Sequence, residues 1–268
     1  RAAFWCSVAA VLCYIICYNL VTERVKVEQK TEKFNLKELL VGLGTNKALI
    51  GIVISSICLL LAQLTLSSMT TYVFPNYFRN TAALSATGII GMAITFLCAA
   101  FTVKVSEKIG RKELAIFASL WSAAVLILAF FLKITNAWIF VGVYALSYVG
   151  LAVFGLICWA MITDVIDDTQ IKTGERSDGT IYAVYSFARK LGQAASSGLA
   201  GLLLGIIGYS QATAYDTEVV KGIYNITCLA PAAGFLLLAL SLKYLYPLGR
   251  KQVEENAKQL KERQANEG

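Results

Sequence analysis

The stretch DVIDDTQIKTGERSDGTIYAVYSFARKLGQ, residues 164–193, decides the fold. Its first half is polar and rich in charge. Its second half opens a long apolar segment that nevertheless contains Arg189 and Lys190. A charged side chain near the centre of a membrane helix costs on the order of 3 kcal/mol, so each of these cations requires a reason. The stretch therefore predicts a polar turn followed by a membrane helix whose two cations have a structural or functional role.

The composition of the whole chain agrees with a membrane protein. Of its 268 residues, 57% are hydrophobic and only 15% are charged, and the mean hydropathy is +0.63. A soluble domain carries about 25% charged residues, so this chain cannot cover a water-exposed surface. The net charge of +7 does not form one basic patch, because the cations fall between apolar segments. We therefore expect an all-α membrane protein that contacts membrane lipid and binds no nucleic acid.

The residue types that usually carry catalysis or metal binding are scarce. The chain has no histidine, and its seven cysteines include no CxxC pair. Histidine is the usual general base and the commonest metal ligand, and paired cysteines mark zinc sites. The acids of residues 164–178 could suggest a hydrolase, but no nucleophile motif accompanies them. We expect no enzyme, no metal site and no cofactor.

Seven segments are long enough to cross a membrane, which takes about 20 largely apolar residues. Six of them contain no charge, and the seventh contains only Arg189 and Lys190. The six uncharged segments are 2–21, 48–74, 81–103, 114–132, 137–163 and 222–242. The seventh is 180–209.

The distribution of lysine and arginine predicts the orientation. Alternate gaps between the segments hold 18 of the 24 cations, whereas the opposite gaps hold only four. Because cytoplasmic loops are enriched in these residues, the 18-cation side is cytoplasmic. Residue 1 is then outside and the C-terminus is in the cytoplasm.

The spacing of the segments predicts four regions. Residues 1–22 are the last helix of an N-terminal bundle, and 48–246 form a complete C-terminal six-helix bundle. Residues 23–47 form a central cytoplasmic loop, in which Asn35 and Glu38 fit the capping box of a short interfacial helix. Residues 247–268 form a polar cytoplasmic tail, expected to be a solvated helix or disordered. The chain thus reads as part of a larger protein.

Lys190 is the leading candidate for substrate binding. One helical face carries Lys190 with small residues, and a neighbouring one carries Ser186, Arg189 and Gln193. Snorkelling to the interface is the alternative explanation. It suits Arg189 as well as a functional role in gating or an ion pair does. We expect Lys190 to face a cavity, with Tyr185, Ser186 and Gln193 nearby.

Two further spans could supply walls of this cavity. Tyr148 and Trp159 lie on one stripe of span 137–163, separated by the small residues Ala152 and Gly155. Such a stripe suits core packing or the stacking of a sugar ring. Gln63 in span 48–74 either holds helices together or lines a path.

Charged residues near the predicted cytoplasmic helix ends suggest ion pairs. Asp164 and Asp167 are one turn apart, and Arg176 faces them across the turn at Gly174. A solvated loop is the plain alternative, and an ion-pair latch is the functional one. The segment SEKIGRKE, residues 106–113, places Glu107 before Arg111 and resembles the short inner loop of the major facilitator superfamily.

The opening stretch, extended to WAMITDVIDDTQIKTGERSDGTIYAVYSFARKLG, resembles the glycoside–pentoside–hexuronide:cation symporters, the family of melibiose permease. The pair Asn46-Lys47 and the pair Gly208-Tyr209 also match. Asp168 and Gln170 depart from the family, which has Tyr and Glu there, and this puts the details of the latch in doubt. The matching motif positions are Asp164, Asp167, Thr173, Gly174, Arg176, Asp178, Gly179, Lys190 and Gly192.

The resemblance implies a major facilitator fold, of which this chain would be spans 6–12 of 12. It implies sugar:cation symport by alternating access in a bacterial inner membrane, with Na⁺, Li⁺ or H⁺ as the coupled cation. The position of Lys190 would lie at the sugar site, with Tyr185 and Ser186 one turn earlier. The cation ligands would lie in the N-terminal six-helix bundle, which would be the partner of this half. The alternatives are a carrier that exports amphiphilic solutes and a seven-span receptor.

Overall fold

A computed structural model describes residues 2–22, 44, 46–174 and 176–267. Every regular element within these residues is helical, which confirms the predicted all-α class. After α2, the chain continues into a π-helical turn, Val73–Tyr77, which contains Pro75. The helices are α1 Ala2–Leu20, α2 Lys47–Tyr72, α3 Thr81–Ile109, α4 Arg111–Leu132, α5 Ala137–Thr173, α6 Asp178–Ile206, α7 Thr217–Tyr244 and α8 Arg250–Glu267.

The chain divides into two compact units, residues 1–39 and 40–268. The first unit contains α1, whose side chains are exposed along its length, including Trp5 and Tyr14. An apolar helix with no buried face requires lipid or another helix around it. The capping residues Asn35 and Glu38 of the predicted interfacial helix lie outside the described residues.

The second unit is a helical bundle held by close backbone approaches. α2 packs against α6 and α7, α4 packs against α5 and α7, and α3 packs against α5. Where α4 crosses α5, a Cβ added to Gly150 would lie 2.1 Å from the carbonyl oxygen of Ala118. The Ser122 hydroxyl donates to the Ser147 carbonyl at the same crossing, 2.6 Å away. A small residue allows such a crossing, as is usual between membrane helices.

Within the described residues, six helices are long and apolar enough to span a membrane, namely α1 to α5 and α7, with the π-turn included in the second. The seventh predicted span is present as α6, a helix of 29 residues, but it is not among the six. Its lower hydropathy follows from its polar residues, which include Arg189 and Lys190. The structure therefore forms all seven predicted spans as helices and sets α6 apart by composition.

Several helices extend beyond their predicted apolar limits. α5 continues to Thr173, ten residues past the predicted end at Thr163, and stops at Gly174, which has a φ of +78°. A solvated loop, the plain alternative for Asp164 and Asp167, is therefore wrong for these two residues, because both lie on α5. Hydropathy marks only the part of a helix inside lipid, whereas polar residues continue the same helix into water. At 1.5 Å per residue α5 is about 55 Å long, against a hydrocarbon thickness of about 30 Å.

The C-terminal tail is a helix that is exposed along most of its length, as one of the two alternatives predicts, but it also docks on α5 at one buried residue. Asn256 of α8 is 4% exposed, and its amide donates to the carboxylate of Asp168 at 3.2 Å. Asp168 is also buried and accepts a 2.6 Å bond from Lys172. Sequence periodicity missed this docking because α8 is held mainly by polar contacts, with few apolar residues on its stripe.

Tyr246 fixes the segment between α7 and α8. Its ring is 1% exposed, and its hydroxyl donates to the carbonyl of Met161 on α5 at 3.2 Å. Burial raises the pKa of Tyr246 well above its ordinary value, and the nearby carboxylate of Asp164 adds to this effect. The hydroxyl therefore remains a donor at any physiological pH.

Candidate functional site

Helix α6 has one buried face and one exposed polar face. The buried face packs against α2 and recurs every three or four residues, as a helix requires. The opposite face contains exposed Ser186, Lys190 and Ser197, and half-buried Arg189 and Gln193. The buried residues are Ile181, Tyr185, Ala188, Gly192, Ser196, Ala200 and Leu204.

Lys190 and Gln193 meet on the exposed face. The Lys190 ammonium lies 3.3 Å from the side-chain oxygen of Gln193, to which it donates. The hydroxyls of Ser196 and Ser197 both donate to the backbone carbonyl of Gln193, at 3.2 and 3.1 Å. The bond to Gln193 uses one of the three N–H groups of the Lys190 ammonium, so this group can donate further hydrogen bonds. The face can therefore donate hydrogen bonds to a polar solute.

Arg189 lies between aromatic rings contributed by α5 and α6. Its guanidinium carbon is 5.7 Å from the ring centre of Trp159 and 5.8 Å from that of Tyr185. It also donates to the Tyr185 hydroxyl at 3.4 Å. The two distances from the guanidinium carbon to the ring centres fall within the range of a cation–π interaction. Arg189 is thus held in place by aromatic contacts rather than extended freely toward an interface.

Tyr185 is fully buried, so the structure does not place it on the exposed face with Lys190. The spacing of five residues turns its side chain toward α5, where its ring packs edge-on against Trp159 at 5.7 Å. Its hydroxyl accepts a hydrogen bond from Arg189 rather than contacting Lys190. Tyr185 therefore supports the polar face from behind.

Tyr182 belongs to this cluster, although it was not among the predicted binding residues. Its ring stacks on Trp159 with centres 6.4 Å apart and an interplanar angle of 26°. Trp159 itself remains 47% exposed. The signal that could have identified Tyr182 is its position one turn before Ser186 on the same helical face. The two rings and Arg189 form a half-open aromatic surface.

Tyr148 and Gln63 lie apart from this cluster. The Tyr148 ring packs against α3, where a Cβ added to Gly91 would lie 3.2 Å from it, and it also contacts Tyr144. This is the core-packing alternative for Tyr148. Gln63 is half-buried on α2, and within the part of the chain that the structure describes it makes no hydrogen bond to Lys190. Between Tyr148 and Trp159, Gly155 leaves open space beside α5.

Of the predicted ion pairs, Arg176 contacts Asp167 but not Asp164, which has Arg111 as its partner. Asp164 is 6% exposed and pairs with Arg111 at the start of α4. The Arg111 guanidinium also donates to the carbonyl of Ala160 at 3.1 Å. Two residues named separately by the sequence, one in each predicted charged segment, are thus brought together across 53 positions. The pair joins the start of α4 to α5 at a point nine residues before α5 ends at Thr173.

Arg176 holds the turn between α5 and α6. It contacts Asp167 at 3.1 Å, the Gln170 side-chain oxygen at 3.0 Å and Asp178 at 3.0 Å. Partial burial would lower the pKa of Arg176, but its bonds to Asp178 and Asp167 outweigh burial and raise that pKa. Glu107 is exposed, and within residues 46–174 and 176–267 it makes no ion pair with Arg111.

Apolar helices long enough to span a bilayer, one helix with a polar face, and ion pairs between neighbouring helices are features of a multi-pass membrane protein. The comparisons with known proteins agree with this class. The chain belongs to the family described as MFS/sugar transport protein, whose model matches residues 2–250. It is therefore a multi-pass integral membrane protein with a major facilitator fold, which disposes of the seven-span receptor.

Curated relatives are transporters rather than enzymes. A Bacillus subtilis protein named as the uncharacterized symporter YjmB is 30% identical over 89% of this chain and 52% of its own length. A glucuronide carrier protein homolog of Escherichia coli is 26% identical over 94% of this chain and 55% of its own length. A candidate 2,3-dihydroxypropane-1-sulfonate exporter of Escherichia coli is 26% identical over 93% of this chain and 55% of its own length. The chain spans about half the length of these relatives.

Proposed function

We propose that this chain is the C-terminal part of a secondary transporter that carries a sugar together with a cation by alternating access. The observation that carries the proposal is the exposed polar face of α6. A helix that presents Ser186, Lys190 and Gln193 on one side is unfavourable against lipid. The same face becomes favourable when it lines a water-filled path through the protein.

The proposed sugar site combines hydrogen-bond donors with an aromatic surface. Lys190, Ser186 and Gln193 offer donors and acceptors to hydroxyl groups. Trp159 and Tyr182 offer ring faces against which the apolar side of a sugar can pack. Arg189 supports the aromatic wall, and Tyr185 positions Arg189 from the buried side. Gln63 and Tyr148 would line the path farther from Lys190.

The proposed gate is the set of ion pairs at the ends of α4, α5 and α6. The pairs Arg111–Asp164 and Arg176–Asp167 hold these ends together when this side is closed. Opening exposes the carboxylates to water, and solvation then offsets the loss of the pairs. Glu107 would join this network only in another conformation.

We further propose the predicted arrangement in the membrane. Residues 1–22 end an N-terminal six-helix bundle, and 48–246 are the C-terminal bundle. The linker 23–47 and the tail 247–268 then lie in the cytoplasm of a bacterial cell. The coupled cation, Na⁺, Li⁺ or H⁺, binds to ligands in the N-terminal bundle. The name of the sulfonate exporter among the relatives favours a second candidate, a carrier of similar fold that works outward.

The proposal is tested with the full-length transporter in proteoliposomes. Uptake of labelled glycosides, pentosides and hexuronides is measured with and without a Na⁺ or H⁺ gradient. We expect gradient-driven uptake of one sugar class, and loss of that uptake in Lys190→Ala. Lys221→Ala, which removes an exposed cation at the start of α7, is the matched control and should transport normally. Normal uptake by Lys190→Ala would refute its binding role, and no sugar uptake by folded protein would favour the exporter.

A further inference from the structure

An apolar groove lies between α3 and α4 and has α5 as its floor. It has a volume of about 260 Å³. The hydroxyl of Thr102 on its wall is already donated to the carbonyl of Cys98 at 2.6 Å, so the groove offers no free hydroxyl to a polar ligand. Leu97 and Phe101 are more than 60% exposed at its rim. The principal lining side chains are Leu97, Phe101, Val105, Leu114, Val149 and Val153.

Two lysines continue the same side of α3 toward the connection with α4. Lys104 is three residues beyond Phe101 and Lys108 is seven, which places both near the helical face that carries the groove wall. Both side chains are exposed. In the described part of the chain, neither lysine makes an ion pair with any acid, including Glu107, which lies between them in the sequence. The groove therefore leads from an apolar floor to unpaired positive charge.

The connection as a whole is basic. Residues 104–113 contain four lysines and arginines and two glutamates, Glu107 and Glu113, a net charge of +2. A bilayer places its apolar chains beside the groove and its phosphate groups beyond the last apolar turn. The apolar groove matches the acyl chain of a phospholipid, and the cations at its interfacial end match the phosphate of the same molecule.

We propose that this groove binds an anionic phospholipid of the leaflet that faces Gly110. One acyl chain lies along Phe101 and Val149, and the phosphate lies between Lys104 and Lys108. The site is separate from the polar face of α6 and does not depend on the transported solute. Burial of methylene groups supplies attraction for any phospholipid, and the two lysines supply the preference for an anionic one.

The experiment uses the full-length transporter in phosphatidylcholine nanodiscs. A trace of phospholipid with a photoreactive acyl chain is added, with either a phosphatidylglycerol or a phosphatidylcholine headgroup. Crosslinked peptides are then located by mass spectrometry. We expect phosphatidylglycerol to label the groove segments of α3 and α5 about fivefold or more above phosphatidylcholine, since two nearby lysines attract its charge.

Two variants separate the parts of the site. Lys104→Gln/Lys108→Gln should abolish the preference for phosphatidylglycerol but leave the phosphatidylcholine labelling unchanged. Lys251→Gln/Lys261→Gln, which removes the same charge from exposed positions of α8, should keep the preference. Val149→Phe should reduce labelling by both lipids, provided that gel filtration shows the folded protein.

Three results would overturn the proposal. Equal labelling by both headgroups in the wild type would mean ordinary boundary lipid. A preference that survives Lys104→Gln/Lys108→Gln would place the charge elsewhere. No labelling of the groove by either lipid would mean that another part of the transporter covers it.

Discussion

The amide of Asn256 donates a hydrogen bond to the carboxylate of Asp168, 88 residues earlier in the chain, at 3.2 Å. Both side chains are at most 4% exposed. Gln252 in turn donates to the oxygen of the Asn256 amide at 3.0 Å, which fixes the orientation of that amide. This short network attaches the polar helix α8 to the end of α5, where apolar burial is limited.

Asn256→Ala should detach α8 from α5. A buried hydrogen bond to a charged group contributes about 1.5–3 kcal/mol, so the loss should lower the unfolding temperature of the purified full-length protein. It should also expose α8 to limited proteolysis. Lys258→Ala, on the same helix and 79% exposed, is the control and should resist the protease like the wild type. Equal resistance of both variants would show that α8 is held by other contacts.

Asp164→Asn should weaken the junction of α4 and α5. The substitution leaves Arg111 without a charged partner, but the Arg111 side chain is 39% exposed, so water partly compensates. We expect a loss of about 1–3 kcal/mol, below that of a fully buried pair. Thermal unfolding followed by intrinsic fluorescence measures the loss. Glu107→Gln, which removes an exposed acid of the same region, should change the melting temperature little.

The exchange Arg111→Asp/Asp164→Arg gives a further test of that pair. Restored opposite charges should recover part of the stability lost in each single variant, because the pair acts as a unit. Losses that simply add would show that the two residues act independently.

Gly150→Ala should prevent the close crossing of α4 and α5. The added carbon would lie within 2.1 Å of both the Ala118 carbonyl and the Ser122 hydroxyl, and the backbone cannot yield cheaply. Gly142 is the matched control, since a carbon added there meets nothing within 4 Å on the same helix. The folded fraction of each variant is measured by fluorescence-detected gel filtration. A normal folded fraction for Gly150→Ala would show that the two helices can separate at little cost.

Arg189→Lys should reduce uptake, although it keeps the charge. Lysine lacks the planar group that lies against Trp159 and Tyr185, and a flexible ammonium makes fewer fixed contacts. We expect a several-fold fall in the rate of sugar uptake by proteoliposomes, and a shift in tryptophan emission relative to the wild type. Trp159→Phe keeps a ring and should lose less than Trp159→Ala. If Arg189→Lys matches the wild type in both readouts, Arg189 serves only to reach the interface.

Much of the helical architecture could be predicted because membrane spans leave a length signal. All seven segments are helices, and the polar exception, α6, was visible from Arg189 and Lys190. The ends were less predictable. α5 continues from Thr163 to Thr173 because a helix persists in water when its polar residues permit it, and hydropathy carries no record of that continuation.

Contacts between side chains could be predicted only for residues that are close in the sequence. Arg176 and Asp167 are nine positions apart across one turn, and their contact could be anticipated. Arg111 and Asp164 are held together by the packing of α4 on α5, and sequence spacing does not encode that packing. The contact of Tyr185 with Arg189, four positions later on α6, is likewise local, whereas the contact of both residues with Trp159 depends on the packing of α6 on α5.

The close crossing at Gly150 is the point about which α4 and α5 would rotate relative to each other. Asp164 lies about 21 Å farther along α5 at 1.5 Å per residue, so a 5° scissor motion about the crossing would displace its carboxylate by about 2 Å. That displacement is enough to separate an ion pair. The Arg111–Asp164 pair lies far from the crossing, where a given rotation displaces atoms the most, so it opposes relative rotation of α4 and α5 more effectively than a contact beside Gly150.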